Sequence, residues 1–192
     1  TDNSNNRVLV YNLNSDDTFP DRFPDYVLGQ SNFYTGTFPG YSQSSIDSPQ
    51  AVAFDSVNNR LFVVGLQGDR VLVFDTTEIT NGENAVNVIG QSNFTSSANA
   101  TTQAGLNTPQ GLAYDEVGQR LFVGQAGASR VTVYDVSTIT NGENAVNVLG
   151  QSSFTAVVTI TSQSGMSNCR GLAYDAAGQR LFVADYNNNR VI

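Results

Sequence analysis

A single unit of about 60 residues, repeated along the chain, constrains this sequence more than any other feature. Its clearest copy is Gly111–Asp135, GLAYDEVGQRLFVGQAGASRVTVYD. Gly29-Gln30, Gly90-Gln91 and Gly150-Gln151 stand 61 and 60 residues apart, and Pro49-Gln50, Pro109-Gln110 and Cys169-Arg170 stand 60 apart each time. Arg70, Arg130 and Arg190 keep the same period, with Arg7 placed 63 before Arg70. Residues 71–90 and 131–150 agree at 14 of 20 positions, the mark of duplication. Such a repeat is one supersecondary unit that buries its apolar faces only by stacking on its neighbours.

Within one repeat the residues read as four short strands: Gly111–Asp115, Arg120–Gly124, Arg130–Asp135 and Ala145–Leu149. Each is β-branched and aromatic, and Gly, Asn and Asp fall at the breaks. No window carries a helix-length period of 3.6. Runs such as Leu121-Phe122-Val123 and Val71-Leu72-Val73-Phe74 are continuously apolar. A sheet with one wet face would alternate, so both faces are expected to be covered by neighbouring sheets. An all-β chain of four-stranded antiparallel sheets stacked face to face is a set of β-propeller blades.

The residues Pro109-Gln110-Gly111-Leu112-Ala113-Tyr114-Asp115, then Arg120-Leu121-Phe122-Val123, then Asp185-Tyr186-Asn187-Asn188-Asn189-Arg190-Val191 resemble the NHL repeat. The resemblance covers essentially the whole chain, with extra length in two loops per repeat. Gln125 and Gly65 stand where Asp185 and Asp2 carry the acid. NHL propellers generally have six blades, so the resemblance implies about three blades, half of a ring. Thr1–Leu9 (TDNSNNRVL) is a second version of Ala184–Ile192 (ADYNNNRVI), so both ends fall inside one blade. This gives a single segment over 1–192. Residues 1–48 form the outer strands of a split blade (Arg7–Asn12 and Tyr26–Gly29) plus a loop. Residues 49–108 and 109–168 form whole blades, and 169–192 form the inner strands, Gly171–Asp175 and Arg180–Ala184. Because Thr1 opens inside a repeat, the chain reads as an excised piece of a longer protein. Inner strands of one copy are also complementary to outer strands of another. Pairing through Arg7, Val8, Leu9, Val10 and Arg190, Val191, Ile192 would then close a ring or propagate a filament.

Charge excludes several classes of function. Seventeen acidic residues face nine basic ones, all Arg, for a net charge of −8, with no Lys, His or Trp. Nucleic-acid binding and attachment to anionic membranes run against that charge. No apolar run approaches the roughly 20 residues of a membrane span, so no membrane insertion is expected. One cysteine, Cys169, excludes an internal disulfide framework and reads as a semi-buried neutral thiol with nothing to activate it. A lyase resembling this family holds its metal through histidines, and a chain without histidine cannot carry that site over. A carboxylate-bound metal near the axis, serving a hydrolase or lyase, is the alternative to a non-catalytic scaffold that needs no cofactor. Asp2, Asn3, Asp185 and Asn187 supply oxygen in corresponding turns, but their spacing matches no calcium loop, and solvated turns are the plainer reading.

Candidate binding residues fall in two places. The loops Gln30–Ser48, Gln91–Thr108 and Gln151–Asn168 are long enough to be functional. There Tyr34, Phe38 and Tyr41 are candidates for contact with a partner protein or glycan, whereas Phe33, Phe94 and Phe154, recurring in GQSxF, read as loop anchors. Gln50, Gln110 and Arg170, equivalent by period, form a polar ring near the axis that suits a small acidic group or simply satisfies backbone. Asn93-Phe94-Thr95 and Asn99-Ala100-Thr101 match the N-glycosylation sequon. With the acidic, Lys-free composition, these sequons point to an extracellular or cell-surface setting. The recurrent Arg residues read as structural, cross-linking carbonyls and Asp carboxylates at blade ends.

Overall fold

A computed structural model describes residues 1–192 and contains thirteen strands. They are β1 (Val8–Val10), β2 (Tyr26–Leu28), β3 (Pro49–Asp55), β4 (Arg60–Gly65), β5 (Arg70–Asp75), β6 (Asn87–Ile89), β7 (Pro109–Asp115), β8 (Arg120–Gln125), β9 (Arg130–Asp135), β10 (Asn147–Leu149), β11 (Cys169–Asp175), β12 (Arg180–Asp185) and β13 (Arg190–Val191). Two complete antiparallel sheets, β3-β4-β5-β6 and β7-β8-β9-β10, stand between a two-stranded sheet, β1-β2, and a three-stranded one, β11-β12-β13. These are β-propeller blades with neighbouring inner strands β3, β7 and β11.

Turn chemistry sets the blade outline. The second-to-third turns put Asn6, Asp69, Ser129 and Asn189 in the left-handed region, with φ between 45° and 52°. Asn and Asp tolerate that conformation because their side chains bond locally. In the third-to-fourth loops Gly82 (φ 69°) and Gly142 (φ 72°) supply the positive φ that Asn81-Gly82 and Asn141-Gly142 lead one to expect.

Several boundaries differ from the sequence reading: the second strands run on to Gln125 and Asp185, β1 starts at Val8 and β2 ends at Leu28, and larger differences arise at three further places. First strands start two residues early, at Pro49, Pro109 and Cys169, and each contains a register shift just after its start. The fourth strand begins at Asn147 rather than Ala145, because the Ala145 N–H is taken by Gln103 O from a loop. β1 stops at Val10 because the Asn12 N–H binds the Asp25 carboxylate at 2.7 Å.

Burial follows the stacking of blades. One core joins Phe62, Val64, Val71, Val73 and Ile89 of one complete blade to Leu112, Leu121 and Tyr134 of the next. A second core joins Val8 and Leu28 to Val63, Leu72, Phe74 and Val88, so β1-β2 packs on the outer part of the first complete blade. Each fully buried Val, Leu or Phe contributes about 1.5–3 kcal/mol, which makes blade stacking the main source of stability. Each blade also caps the next. Asn6 Oδ1 accepts the Ser48 N–H (3.0 Å), Asp69 Oδ1 that of Thr108 (2.6 Å), and Ser129 Oγ that of Asn168 (3.1 Å).

Candidate functional site

The GQSxF loops are fastened by polar groups as much as by their phenyl rings. Gln91 Nε2 donates to Gly68 O, Asp69 O and Ala98 O, and its Oε1 accepts the Ala98 N–H. Gln151 repeats this set with Ala128, Ser129 and Val158, and Gln30 Nε2 reaches Asn6 O and Thr37 O. The carbonyls of Phe33, Phe94 and Phe154 accept from Arg7, Arg70 and Arg130. The Phe94 and Phe154 rings pack at the edges of the two large cores, as an anchoring role requires.

Arg70 and Arg130 are fully buried, so their donors depend on acceptors supplied by the protein. Arg130 also donates to Thr102 O, Gly105 O and Gln125 Oε1. Arg190 reaches Ser162 O and Gly165 O, and its Nε meets Asp185 at 2.8 Å, as Arg7 Nε meets Asp2 at 2.7 Å. Gly65 leaves the matching place beside Arg70 empty, and Arg70 Nε has no acceptor. Burial lowers the Arg70 pKa to about 10, opposed by the nearby Tyr41 and Asp47.

The aspartates divide by partner. Asp55 is held by Arg60 (2.9 and 2.6 Å) and Asn58, and Asp175 by Arg180. Asp115 instead accepts the Gly118 N–H, while Asp75 and Asp135 accept from Thr77 and Ser137 in their own turns, so these three are not the arginine acceptors expected. Burial pushes the Asp55 and Asp185 carboxyls up, but the donors around each outweigh it and leave both lowered. Asp69 is raised, because burial outweighs its bonds from Thr108 and Asn99.

The signs fix a pH dependence. Asp55 and Asp185 add stability that is present above the unfolded carboxylate value of about 3.9 and is lost as pH falls through their lower folded values. Asp69 acts oppositely, costing stability at neutral pH until it is protonated. Urea midpoints are therefore expected to hold steady from pH 7 to 5 and to fall below about pH 4. Asp69→Asn, which keeps the acceptor and the turn preference, is expected to raise stability by up to about 1 kcal/mol at pH 7. That gain should vanish under acid; a loss at pH 7 would contradict it.

Gln50, Gln110 and Arg170 do come together. All three fall within the first-strand register shifts, where a strand re-aims its side chains, and they line a cavity of about 380 Å³ with Ala51, Gly111, Leu112, Gly171 and Leu172. Arg170 is partly occupied, its guanidinium stacked 3.7 Å from the Tyr186 ring centre and its Nε bonded to Asn168. The lining contains no carboxylate. No three Asp, Glu or Cys side chains converge as a metal-ligand group elsewhere. Cys169 is buried against Met166, and burial raises its thiol to about 12, an inert state.

On the loop face, Tyr34 is 97% exposed beside a groove of about 520 Å³. Phe38 packs edge-on against Tyr41, whose hydroxyl donates to Asp47 and Gln67 O and whose ring lies under Arg70. Tyr41 is therefore engaged in fastening its loop to the blade that follows. Asn93 is exposed, its Oδ1 accepting from Thr95 and Ser96, whereas the Asn99 amide donates to Asn107 and Asp69.

The two partial sheets carry the same turn twice. Asp2–Arg7 and Asp185–Arg190 each have a short 3₁₀ turn, a left-handed Asn and an Asp–Arg ion pair. β1 pairs only with β2 through Val8, Leu9 and Val10, leaving its other edge free. Arg190 and Val191 pair with β12, and Ile192 exchanges two backbone bonds with Val183. Beside β11-β12, a groove of about 650 Å³ opens over Val133, Val146, Leu149, Tyr174 and Leu181.

Comparison with known families matches the NHL repeat at residues 166–192, the stretch holding β11, β12 and this second turn. Residues 166–192 carry an NHL repeat. Among solved structures, a chain of a nidogen/laminin complex superposes with a TM-score of 0.51 at 18% identity, over 84% of this chain and 49% of its own length. Dihydro-heme d1 dehydrogenase NirN in complex with DHE gives 0.50 at 12% identity, over 95% of this chain and 28% of its own. An auxiliary nutrient binding protein from Bacteroides ovatus gives 0.50 at 15% identity, over 73% and 35%. At these identities the likeness is one of fold, the β-propeller, and this chain spans about half or less of each structure's length. No curated protein matches this chain in sequence. None of its helices is long and apolar enough to cross a membrane.

Proposed function

We propose that residues 1–192 act as one non-catalytic propeller scaffold, extracellular or at the cell surface, that associates with further copies by completing its split blade. Residues 1–48 bring the outer strands and a loop, 49–108 and 109–168 are whole blades, and 169–192 bring the inner strands. The observation that carries this reading is the duplicated turn beside two unfilled places. β1 has a free edge where a second strand belongs, and β11-β12 borders an open apolar groove where outer strands belong. In the exchange, Asp2–Leu9 of one copy displaces residues 185–192 of another, and Arg7 takes over the carbonyls held by Arg190. A longer parent chain supplying the same strands is the competing source.

Protein or glycan partners fit the loop face around Tyr34. The acidic chain supports an extracellular setting, and Asn93, whose amide nitrogen is the less engaged of the two sequon amides, is the preferred glycan acceptor. The nidogen/laminin neighbour occurs in a complex between proteins, which supports the same class of function. The cavity at Gln50, Gln110 and Arg170 suits a small anion rather than a carboxylate-bound metal. An affinity-tagged copy refolded with an untagged copy is expected to retain it on the resin. Untagged chain passing straight through would remove self-association from the proposal.

A further inference from the structure

Both internal blade junctions are built on one aromatic pair. Phe62 of β4 meets Tyr114 of β7 with ring centres 5.7 Å apart, and Phe122 of β8 meets Tyr174 of β11 at 5.5 Å. By the 60-residue period the next members of the two series are Phe182 on β12 and, at the other end of the stack, Phe54 on β3. Phe62 is 0% and Phe122 8% exposed, whereas Phe182 is 43% and Phe54 52% exposed. One chain therefore presents both halves of the same junction, unpaired.

The surroundings agree with the internal junctions. Arg180 lies 5.9 Å from the Phe182 ring centre, as Arg60 lies 5.8 Å from that of Phe62, so Phe182 already has the pose of a junction ring. Val52, exposed on β3, is the counterpart of Leu112, which is buried with Val64; Ala184 is the counterpart of Val64 and offers a small apolar surface. Tyr114 and Tyr174 bear hydroxyls, but Phe54 does not. The contact does not depend on one, since the buried Tyr114 hydroxyl finds no hydrogen-bond partner at its own junction.

We infer that Phe182 of one copy stacks on Phe54 of a second copy, continuing the blade stack across chains. This rests on the self-association proposed above and gives it a register. Each copy offers one face of each kind, so two copies satisfy both when the stack turns half a circle per chain; otherwise the contact propagates. The occupant is a second copy because the faces to be joined continue a junction the chain already makes twice within itself.

Charge exchange tests it. Both rings are exposed in the single chain, so Phe54→Glu and Phe182→Arg leave the fold intact, with circular dichroism as the control. Each variant alone is expected to run at the monomer mass of 20.6 kDa under conditions where the unaltered chain is larger. An equimolar mixture of the two variants is expected to recover the larger species, because the introduced guanidinium of one variant then faces the introduced carboxylate of the other. Variants that associate as well as the unaltered chain would overturn this register while leaving self-association standing. An unaltered chain that is itself a folded monomer would overturn both.

Discussion

Replacing Arg130 by alanine is expected to cost about 3–5 kcal/mol of folding stability, read as a shifted urea midpoint. The side chain is fully buried and holds two successive loops to one blade through the carbonyls of Thr102, Gly105 and Phe154 and the amide oxygen of Gln125. Truncation leaves those acceptors dry and unpaired around a cavity the size of a guanidinium. Folded domains hold only about 5–15 kcal/mol in total, so the variant sits near the limit of folding. Arg70→Ala is expected to cost less, since Arg70 Nε has no acceptor to lose and its cation is already desolvated without a partner carboxylate in contact. A loss below about 1 kcal/mol at Arg130 would mean these loops are held by something else.

Asp55→Ala is expected to cost about 3–5 kcal/mol, because it strips a fully buried carboxylate from Arg60, Asn58 and two backbone N–H groups. The equivalent Asp175→Ala acts on a pair whose Arg180 side chain is 66% exposed, and is expected to move the urea midpoint far less. The two acids are equivalent by period; they differ in whether a following blade covers the pair and in the Asn58 side-chain amide, whose place Gly178 takes beside Asp175. Equal losses at the two positions would show that blade coverage does not control these ion pairs.

The blades are legible in the sequence because their signals are local and repeated. Continuous apolar runs, Asn-Gly turns and a fixed period specify four strands and stacking, and the NHL-like residues place Asp185–Val191 in a turn that recurs at Asp2–Val8. The duplicated ends are legible too, as one turn written twice. Less is readable where a side chain's partner comes from a distant segment. Arg60 and Arg180 find the expected acids, but Asp115 accepts the Gly118 N–H without its arginine and Asp135 accepts from Ser137, differences that the shared period does not announce. The role of Gln91 and Gln151 as loop staples emerges only from the structure, although their period is plain; a repeated amide after a Gly is the available signal. The register shifts that gather Gln50, Gln110 and Arg170 have no sequence mark beyond the first-strand position itself.

The central claim is that these blades are completed between copies, and the mass of the folded chain in solution tests it most directly. Light scattering during size exclusion at micromolar concentration is expected to give multiples of 20.6 kDa, falling back toward one chain when Phe54 or Phe182 is charged. A monodisperse, cooperatively folded species at 20.6 kDa across that range would contradict it.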